Sequence, residues 1–209
     1  MVREIRVYVE GGGDGKDTKS VVRNGFSSFL GEIIAEVRKK RIGWSIVSCG
    51  PRNAAFDNFR IALETHPEAF NILLVDSEGA VEDKPWKFLK NRDGWSLRAG
   101  QNEQCHLMVQ LMESWLIADV DALKKFYGND FNESSIPLNP DVEKIPKQDV
   151  EISLKKATIK TQKGEYHKIH HGPKILELLD VSKVRNAAPH CDRLFNTLSE
   201  YVLSASSGL

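Results

Sequence analysis

The most informative stretch of the 209-residue chain covers residues 70–79 and reads FNILLVDSEG. Its first six positions are almost entirely apolar, which is typical of a strand that is buried on both faces, as in a parallel sheet. Two acids follow at the end of this strand, Asp76 and Glu78. If the extended geometry continues through residue 78, both side chains leave the same face of the strand. The stretch predicts an α/β protein with paired carboxylates at a strand end.

The segments around this strand alternate between the two hydrophobic periods, two for strands and 3.6 for helices. The predicted strands cover residues 5–10, 44–49, 70–75 and 106–111. The predicted helices cover residues 20–41, 52–65, 82–91 and 113–127. Strands that alternate with helices imply parallel pairing with right-handed crossovers. The predicted fold class is α/β, with a mainly parallel four-stranded sheet flanked by helices.

The rest of the chain, residues 128–209, has a different composition. Residues 1–127 are predicted to form the α/β domain, and residues 128–147, which are rich in Asn and Pro, a linker or an extended wrap. Residues 148–209 are predicted to be an α-helical part that packs on the first domain. Its expected helices lie near residues 148–161, 172–180 and 189–203.

Composition excludes several classes of protein. The net charge is zero, with 29 basic and 29 acidic residues, which argues against a nucleic-acid binder of bulk positive charge but leaves local patches open. No apolar run approaches the length of a membrane span, and the first residues lack the apolar core of a secretory signal. The three cysteines are widely spaced, so we expect reduced thiols and a cytoplasmic location.

The charges are unevenly distributed along the chain. Residues 62–121 hold 11 acids and 5 bases, whereas residues 151–193 hold 9 bases, 5 acids and four of the six histidines. An acidic centre beside basic flanks suits a metal-dependent enzyme that acts on phosphates, although such segregation also arises by chance.

The loop after the first strand, EGGGDGKD at residues 10–17, departs from two phosphate-binding motifs. A Walker A loop requires Gly and Ser or Thr where this chain has Glu10 and Asp17. A dinucleotide fingerprint requires a third Gly where this chain has Lys16. The loop instead places a carboxylate at the end of a parallel strand, where open α/β sheets bind ligands.

Three acids at predicted strand ends form the candidate site: Glu10, Asp76 and Glu78. Close together, they would repel one another unless a cation lay between them. Carboxylate oxygens are hard ligands, which favour Mg²⁺ or Mn²⁺ over zinc. The alternative is that each acid only decorates a loop.

Short motifs along the chain carry a family resemblance. They are Val9-Glu10-Gly11, Cys49-Gly50-x-Arg52, Leu74-Val75-Asp76-x-Glu78, Met112-Glu113-Ser114-Trp115-Leu116-x-Ala118-Asp119, His171-Gly172-Pro173-Lys174 and Pro189-x-Cys191-x-Arg193-Leu194-Phe195. The strand-end acids resemble the toprim fold of topoisomerases, primases and OLD-family nucleases. The whole chain resembles more narrowly domain-of-unknown-function family 4276, a toprim-like group.

The resemblance implies a toprim-type nuclease that uses Mg²⁺ or Mn²⁺, with Glu10, Asp76 and Glu78 as catalytic metal ligands. It also implies Asp14 as the further acid that OLD-type nucleases carry after the glutamate. One departure is Glu78, which stands where the usual second residue of the pair is Asp. Such groups resemble anti-phage effectors that work with a partner ATPase.

Other functions remain open from the sequence. A non-catalytic toprim-like module that binds nucleic acid or a partner is the main alternative, and a nucleotide-binding or phosphotransfer enzyme is a third, which the failed phosphate motifs disfavour. The sequence does not distinguish DNA from RNA as the target, and it leaves a homo-oligomer possible.

Further candidates flank the acidic site. Glu113 is either a metal ligand or an acid favoured by a helix dipole in the first turn of its helix. The segment Tyr166–Lys174 is either a phosphate-facing loop or a solvated basic surface. The candidate substrate-binding residues are Lys16, Arg52, Lys168, His171 and Lys174.

Overall fold

Four parallel strands form the centre of the computed structural model, which describes residues 4–13, 15–97 and 101–204. The strands are β1 (Glu4–Glu10), β2 (Gly43–Gly50), β3 (Ala69–Asp76) and β4 (Cys105–Met108). Their order in the sheet is β2-β1-β3-β4, and every neighbouring pair is parallel. The α/β class and the parallel sheet predicted from the sequence are confirmed.

The strand order reverses between β1 and β3. From β1 the chain passes to β2 on one side of the sheet, and then crosses to β3 on the other side. At such a switch point the crossovers diverge, which leaves a crevice outside the carboxyl ends of the strands where ligands bind. Glu10 ends β1 and Asp76 ends β3, so both acids lie at this crevice.

Helices cover both faces of the sheet. The first four are α1 (Lys16–Phe29), α2 (Gly31–Lys39), α3 (Arg52–Thr65) and α4 (Pro85–Asp93). Alternate residues of each strand point to opposite faces, so Val7 and Ile72 belong to the core beneath α1 and α2, whereas Tyr8 and Leu73 belong to the core beneath α3 and α4. Burial on both faces explains the continuous apolar run of β3.

The C-terminal helices extend the larger of these two cores. They are α5 (Met112–Ile117), α6 (Val120–Tyr127), α7 (Lys147–Thr158), α8 (Gly172–Leu176), α9 (Val181–Ala187) and α10 (Pro189–Ser204). The larger core is continuous from Ile5 to Val202, so this part of the chain packs directly on one face of the sheet. Residues 128–147 contain two short 3₁₀ helices, Glu133–Ser135 and Val142–Lys144. Within the described ranges, no helix is both long and apolar enough to cross a membrane.

Some predicted elements are divided or shortened in the structure. The helix predicted over residues 20–41 is α1 and α2, which are separated at Leu30 just before Gly31, a poor helix former. The helix predicted over residues 113–127 is α5 and α6, because the side chain of Asp119 accepts a hydrogen bond from the backbone N–H of Ala122 and begins a new helix. Helix α9 was not predicted.

The fourth strand is also shorter than the predicted range of 106–111. It pairs with β3 only from Leu73 to Asp76, and it ends at Met108 opposite Asp76. Beyond this point the backbone N–H of Glu78 still donates to the carbonyl of Gln110, but the positive φ of Glu78 ends the regular ladder.

The cysteines agree with the prediction of reduced thiols. Cys49, Cys105 and Cys191 are all buried and free. Burial raises the pKa of Cys49 to about 11. Because the thiolate is the reactive form, such thiols are chemically inert at neutral pH.

Helix α1 lies against α8 at a glycine. A Cβ atom at Gly25 would lie 2.6 Å from the carbonyl oxygen of Pro173, closer than real Cβ contacts permit. Gly31 provides a contrast, because no described atom lies within 4 Å of the position that its Cβ would take. Gly25 is therefore required by the close approach of the two helices, whereas Gly31 is not.

We expect Gly25→Ala to lower the free energy of unfolding by about 1–3 kcal/mol, since backbone atoms of α8 must move to admit the methyl group. Gly31→Ala is the matched control and should leave stability unchanged or raise it by up to about 1 kcal/mol. Urea unfolding measures both. Equal effects of the two substitutions would contradict the packing of α8 on α1.

Candidate metal centre

Three carboxylates meet at the switch point of the sheet. Glu10 is the last residue of β1, Asp76 is the last residue of β3, and Glu78 follows two residues later. One oxygen from each side chain lies within 4.8 Å of the other two. The carboxyl ends of adjacent parallel strands lie at one edge of a sheet, which is why residues distant in sequence come together here. This geometry agrees with the predicted convergence.

Glu78 reaches the cluster by a different backbone path from the one expected. Strand β3 ends at Asp76, and Glu78 has a positive φ of 63°, so the extended conformation does not continue to residue 78. Its backbone N–H donates to the carbonyl of Gln110 at 2.7 Å. A left-handed non-glycine residue is uncommon, and such residues cluster at functional sites.

Asp76 is the most buried of the three acids, with 2% of its surface exposed. Its Oδ1 accepts a hydrogen bond from the backbone N–H of Met112 at 2.8 Å. Its Oδ2 accepts one from Nζ of Lys168 at 3.0 Å. The backbone of α5 and a basic side chain thus hold the carboxylate in one orientation.

Arg52 connects the two strand ends. Its guanidinium donates to the main-chain carbonyl of Asp76, and its Nη1 lies 3.5 Å from Oε2 of Glu10. Asp93 binds the other side of the guanidinium at 2.8 and 3.2 Å, and the ring centroid of Trp95 lies 5.0 Å away. Arg52 was predicted to bind substrate, and in the structure its guanidinium contacts Glu10, Asp93 and the main chain of Asp76.

The environment of Glu10 favours its protonated form. Burial and the negative charge of Asp76 raise the pKa of Glu10 to about 7, although the charge of Arg52 acts in the opposite direction. Its Oε2 also accepts a hydrogen bond from the backbone N–H of Asp76 at 3.1 Å. Glu10 therefore ionises near neutral pH unless a further cation stabilises its charge.

Glu113 lies beside this cluster and is only 1% exposed. Its Oε1 accepts a hydrogen bond from the hydroxyl of Tyr166 at 2.9 Å. Its Oε2 lies 3.4 Å from Nζ of Lys168 and has no hydrogen-bond partner among the described residues. Burial raises the pKa of Glu113, Lys168 opposes this rise, and Asp76 adds to it. Glu113 belongs to the first turn of α5, and its carboxylate shares Lys168 with Asp76.

Two lysines partly neutralise the acids. Lys168, whose side chain is 51% exposed, contacts both Asp76 and Glu113. Burial lowers the pKa of Lys168, but these two carboxylates raise it above the ordinary lysine value. Lys147 forms an ion pair with Glu78, and although burial raises the pKa of Glu78, this lysine lowers it overall. Sequence analysis missed Lys147 because nothing in its local sequence distinguishes it from a surface lysine.

The other predicted residues have different surroundings. Nδ1 of His171 is 2.9 Å from the hydroxyl of Tyr127, and burial lowers the pKa of this histidine. Lys16 and Lys174 are exposed residues of α1 and α8, respectively. Asp14 lies outside the described residues. Of the predicted substrate-binding residues, Arg52 contacts the carboxylate of Glu10, and Lys168 contacts those of Asp76 and Glu113.

A cavity of about 270 Å³ opens beside the acids. Its uncharged lining residues are Gly11, Gly12, Gly13, Val22, Phe26, Gly50, Pro51, Met108, Met112, Ile169 and Pro173. This cavity, the switch-point pocket, is therefore lined mostly by apolar side chains and glycine backbone. Its charged side chains are those of Glu10, Asp76 and Lys168.

The donor set fits a hard divalent cation. Glu10, Asp76 and Glu78 offer three carboxylate oxygens within 4.8 Å of one another, without sulfur or imidazole donors. Mg²⁺ and Mn²⁺ prefer such oxygen ligands. Glu113 adds a fourth carboxylate across Lys168.

Fold and site together define an α/β protein with an acidic centre at the switch point of a parallel sheet. A family model described as Domain of unknown function (DUF4276) matches residues 9–199, which include Glu10, Asp76, Glu78 and Glu113. The chain therefore belongs to this family. Comparisons with curated proteins and with solved structures gave no match.

The raised pKa of Glu10 predicts how stability depends on pH. Without divalent metal, the folded protein holds a proton on Glu10 between pH 4.5 and about 7 that the unfolded chain has released. The stabilising contribution of Glu10 to the free energy of unfolding is therefore full below pH 4.5, and it is lost as the pH rises through about 7. In chelator, the decline in unfolding free energy over this range should be smaller in Glu10→Gln. Identical pH profiles in urea unfolding would contradict the assignment.

Divalent metal should stabilise the fold at pH 8, where Glu10 is ionised. We expect Mg²⁺ or Mn²⁺ at about 100 times its dissociation constant to raise the melting temperature by about 5 °C or more. The increase should shrink in Glu10→Gln and persist in Glu36→Gln, which changes an exposed glutamate of α2 in the same way. Equal increases in the two variants would show that the ion binds elsewhere.

Proposed function

We propose that the chain is a divalent-metal-dependent phosphodiesterase that cleaves nucleic acid. The observation that carries this proposal is the convergence of Glu10, Asp76 and Glu78 within 4.8 Å at the switch point of a parallel sheet. The acids lie at the ends of β1 and β3. Their arrangement resembles that of the toprim nucleases, and we propose a relation to that group.

Glu10, Asp76 and Glu78 would hold Mg²⁺ or Mn²⁺, and either Glu113 or Asp14 would contribute to a second position. When bound, the metal supplies a Lewis acid for the phosphoryl oxygens and lowers the pKa of a bound water. Arg52 keeps Glu10 and the end of β3 in register through its contacts with both. The carboxylates would thus hold the cation where negative charge develops on the phosphate.

Lys168 would bind the phosphate. Its ammonium has three donors, of which one binds Asp76, it lies 3.4 Å from Glu113, and its side chain is half-exposed. In the proposed hydrolysis the oxygen of one water forms a bond to phosphorus. The bond between phosphorus and the leaving oxygen breaks, and the leaving oxygen takes a proton. The products are a phosphomonoester and a free hydroxyl group.

We propose further that this activity serves an anti-phage system with a partner ATPase in the cytoplasm. This part rests on the toprim-like motifs. Co-purification with the ATPase, and cleavage only in its presence, are the results expected. The same assays on DNA and RNA identify the target.

A non-catalytic module that binds nucleic acid or a partner is the second candidate. One observation favours it: Lys147 and Lys168 already pair with Glu78 and Asp76, so the acidic centre is partly neutralised by the chain itself. Such pairing would allow the centre to persist as a structural element without metal.

Asp76→Asn separates the two functions. The substitution keeps the shape of the side chain and removes a hard anionic ligand, so cleavage of labelled DNA or RNA should fall by about 10²-fold or more. Nucleic-acid binding should persist or tighten because one charge that repels phosphate is gone. Asp57→Asn, at an exposed aspartate of α3, is the matched control and should cleave normally.

These assays use Mg²⁺, Mn²⁺ and chelator in parallel, with and without the partner ATPase. Absence of metal-dependent cleavage from every substrate would exclude the phosphodiesterase and favour the binding module. Normal cleavage by Asp76→Asn would show that other residues hold the metal.

A further inference from the structure

A metal ion and a phosphate do not explain the apolar lining of the switch-point pocket. Apart from Glu10, Asp76 and Lys168, its lining consists of apolar side chains and glycine-rich backbone. The apolar walls are buried side chains, those of Val22, Phe26, Met108 and Met112. Ile169 is partly exposed and lies beside Gly13 of the glycine loop.

The charges of the pocket form one continuous group. Glu10 accepts a hydrogen bond from the backbone of Asp76, and Lys168 donates to the carboxylate of Asp76 at 3.0 Å. A ligand that filled the pocket would therefore place one end at these charges and the rest against apolar walls. Such a ligand combines an anionic group with a compact uncharged group.

The glycine loop, Gly11–Gly13, presents backbone without side chains to the pocket. All three glycines have positive φ angles. A Cβ atom at Gly12 would lie 2.7 Å from Oγ of Ser48, which does not line the pocket, so this glycine is required by packing inside the protein. The described atom nearest to a Cβ at Gly13 is Cδ1 of Ile169, at 4.0 Å. The loop thus forms a wall without side chains, faced by the isoleucine.

We propose that the switch-point pocket binds the base of one unpaired nucleotide while its phosphate lies at Asp76 and Lys168. This inference rests on the proposed phosphodiesterase function and names its substrate class. The volume of about 270 Å³ lies just below that of drug-sized ligand sites, so it holds a single small ring system and excludes a stacked duplex. Enzymes that act on a nucleotide removed from its stack hold the base between apolar or aromatic side chains. Methionines such as Met108 and Met112 contact aromatic rings favourably.

Calorimetric titration in Mg²⁺ tests the pocket independently of cleavage. The probes are adenosine monophosphate, cytidine monophosphate and ribose phosphate, which share the phosphate and differ in the base. We expect the nucleotides to bind about tenfold more tightly or better than ribose phosphate. Equal affinity for all three would overturn the proposal.

Ile169→Trp should fill the pocket from its rim. The affinity for the nucleotides should fall about tenfold, with no change for ribose phosphate. Ile159→Trp is the matched control at an isoleucine that is 59% exposed at the end of α7, and it should bind like the wild type. If Ile169→Trp does not fold, Ile169→Glu places a charge on the same wall and should weaken nucleotide binding. Equal nucleotide affinity of the control and the folded pocket variant would overturn the proposal.

Cleavage of single-stranded oligonucleotides with and without one abasic position separates this inference from the proposed function. A rate that falls at the abasic position supports the pocket. Metal-dependent cleavage that is indifferent to the missing base would overturn the pocket and leave the phosphodiesterase intact. Base-dependent binding without cleavage under any metal would support the pocket and exclude the phosphodiesterase.

Discussion

Repulsion among crowded carboxylates is the constraint on which the architecture of the centre depends. Two full charges separated by 4.8 Å repel by about 3–4 kcal/mol at an effective dielectric constant of about 20. Without metal, the protein relieves this repulsion by retaining a proton on Glu10 and by placing cations beside the other acids. The raised pKa of Glu10 and the ion pairs of Lys147 and Lys168 are consequences of the same crowding.

Much of this relief comes from the C-terminal half of the chain. Lys147, Tyr166 and Lys168 all follow the α/β segment, and each contacts an acid contributed by the first 113 residues. The close approach of α8 to Gly25 brings Pro173 to the wall of the switch-point pocket. The helical part therefore completes both the electrostatics and the shape of the site, and the shared core from Ile5 to Val202 holds it in place.

A metal ion and Lys168 would interact with the same acids. Nζ of Lys168 lies 3.0 Å from Asp76 and 3.4 Å from Glu113, and half of its side chain is exposed. In the proposed phosphodiesterase, the ammonium would stabilise the acids when metal is absent and contact a phosphate when metal is present. One centre can therefore contain both the ion pairs that favour a binding module and the carboxylate ligands that favour an enzyme.

The sequence by itself determined the α/β class, the strands and the meeting of Glu10 with Asp76, because hydrophobic period is local and adjacent parallel strands end at one edge. It could not locate the division at Leu30, the end of β4 at Met108 or the start of α9, since these depend on capping and on where a neighbouring strand stops.

Glu78 joins the cluster through a left-handed turn rather than the extended path that its spacing predicted. Tertiary structure alone decided the partners of Arg52, the role of Lys147 and the pocket walls, because contacts between residues distant in sequence leave no periodic signal.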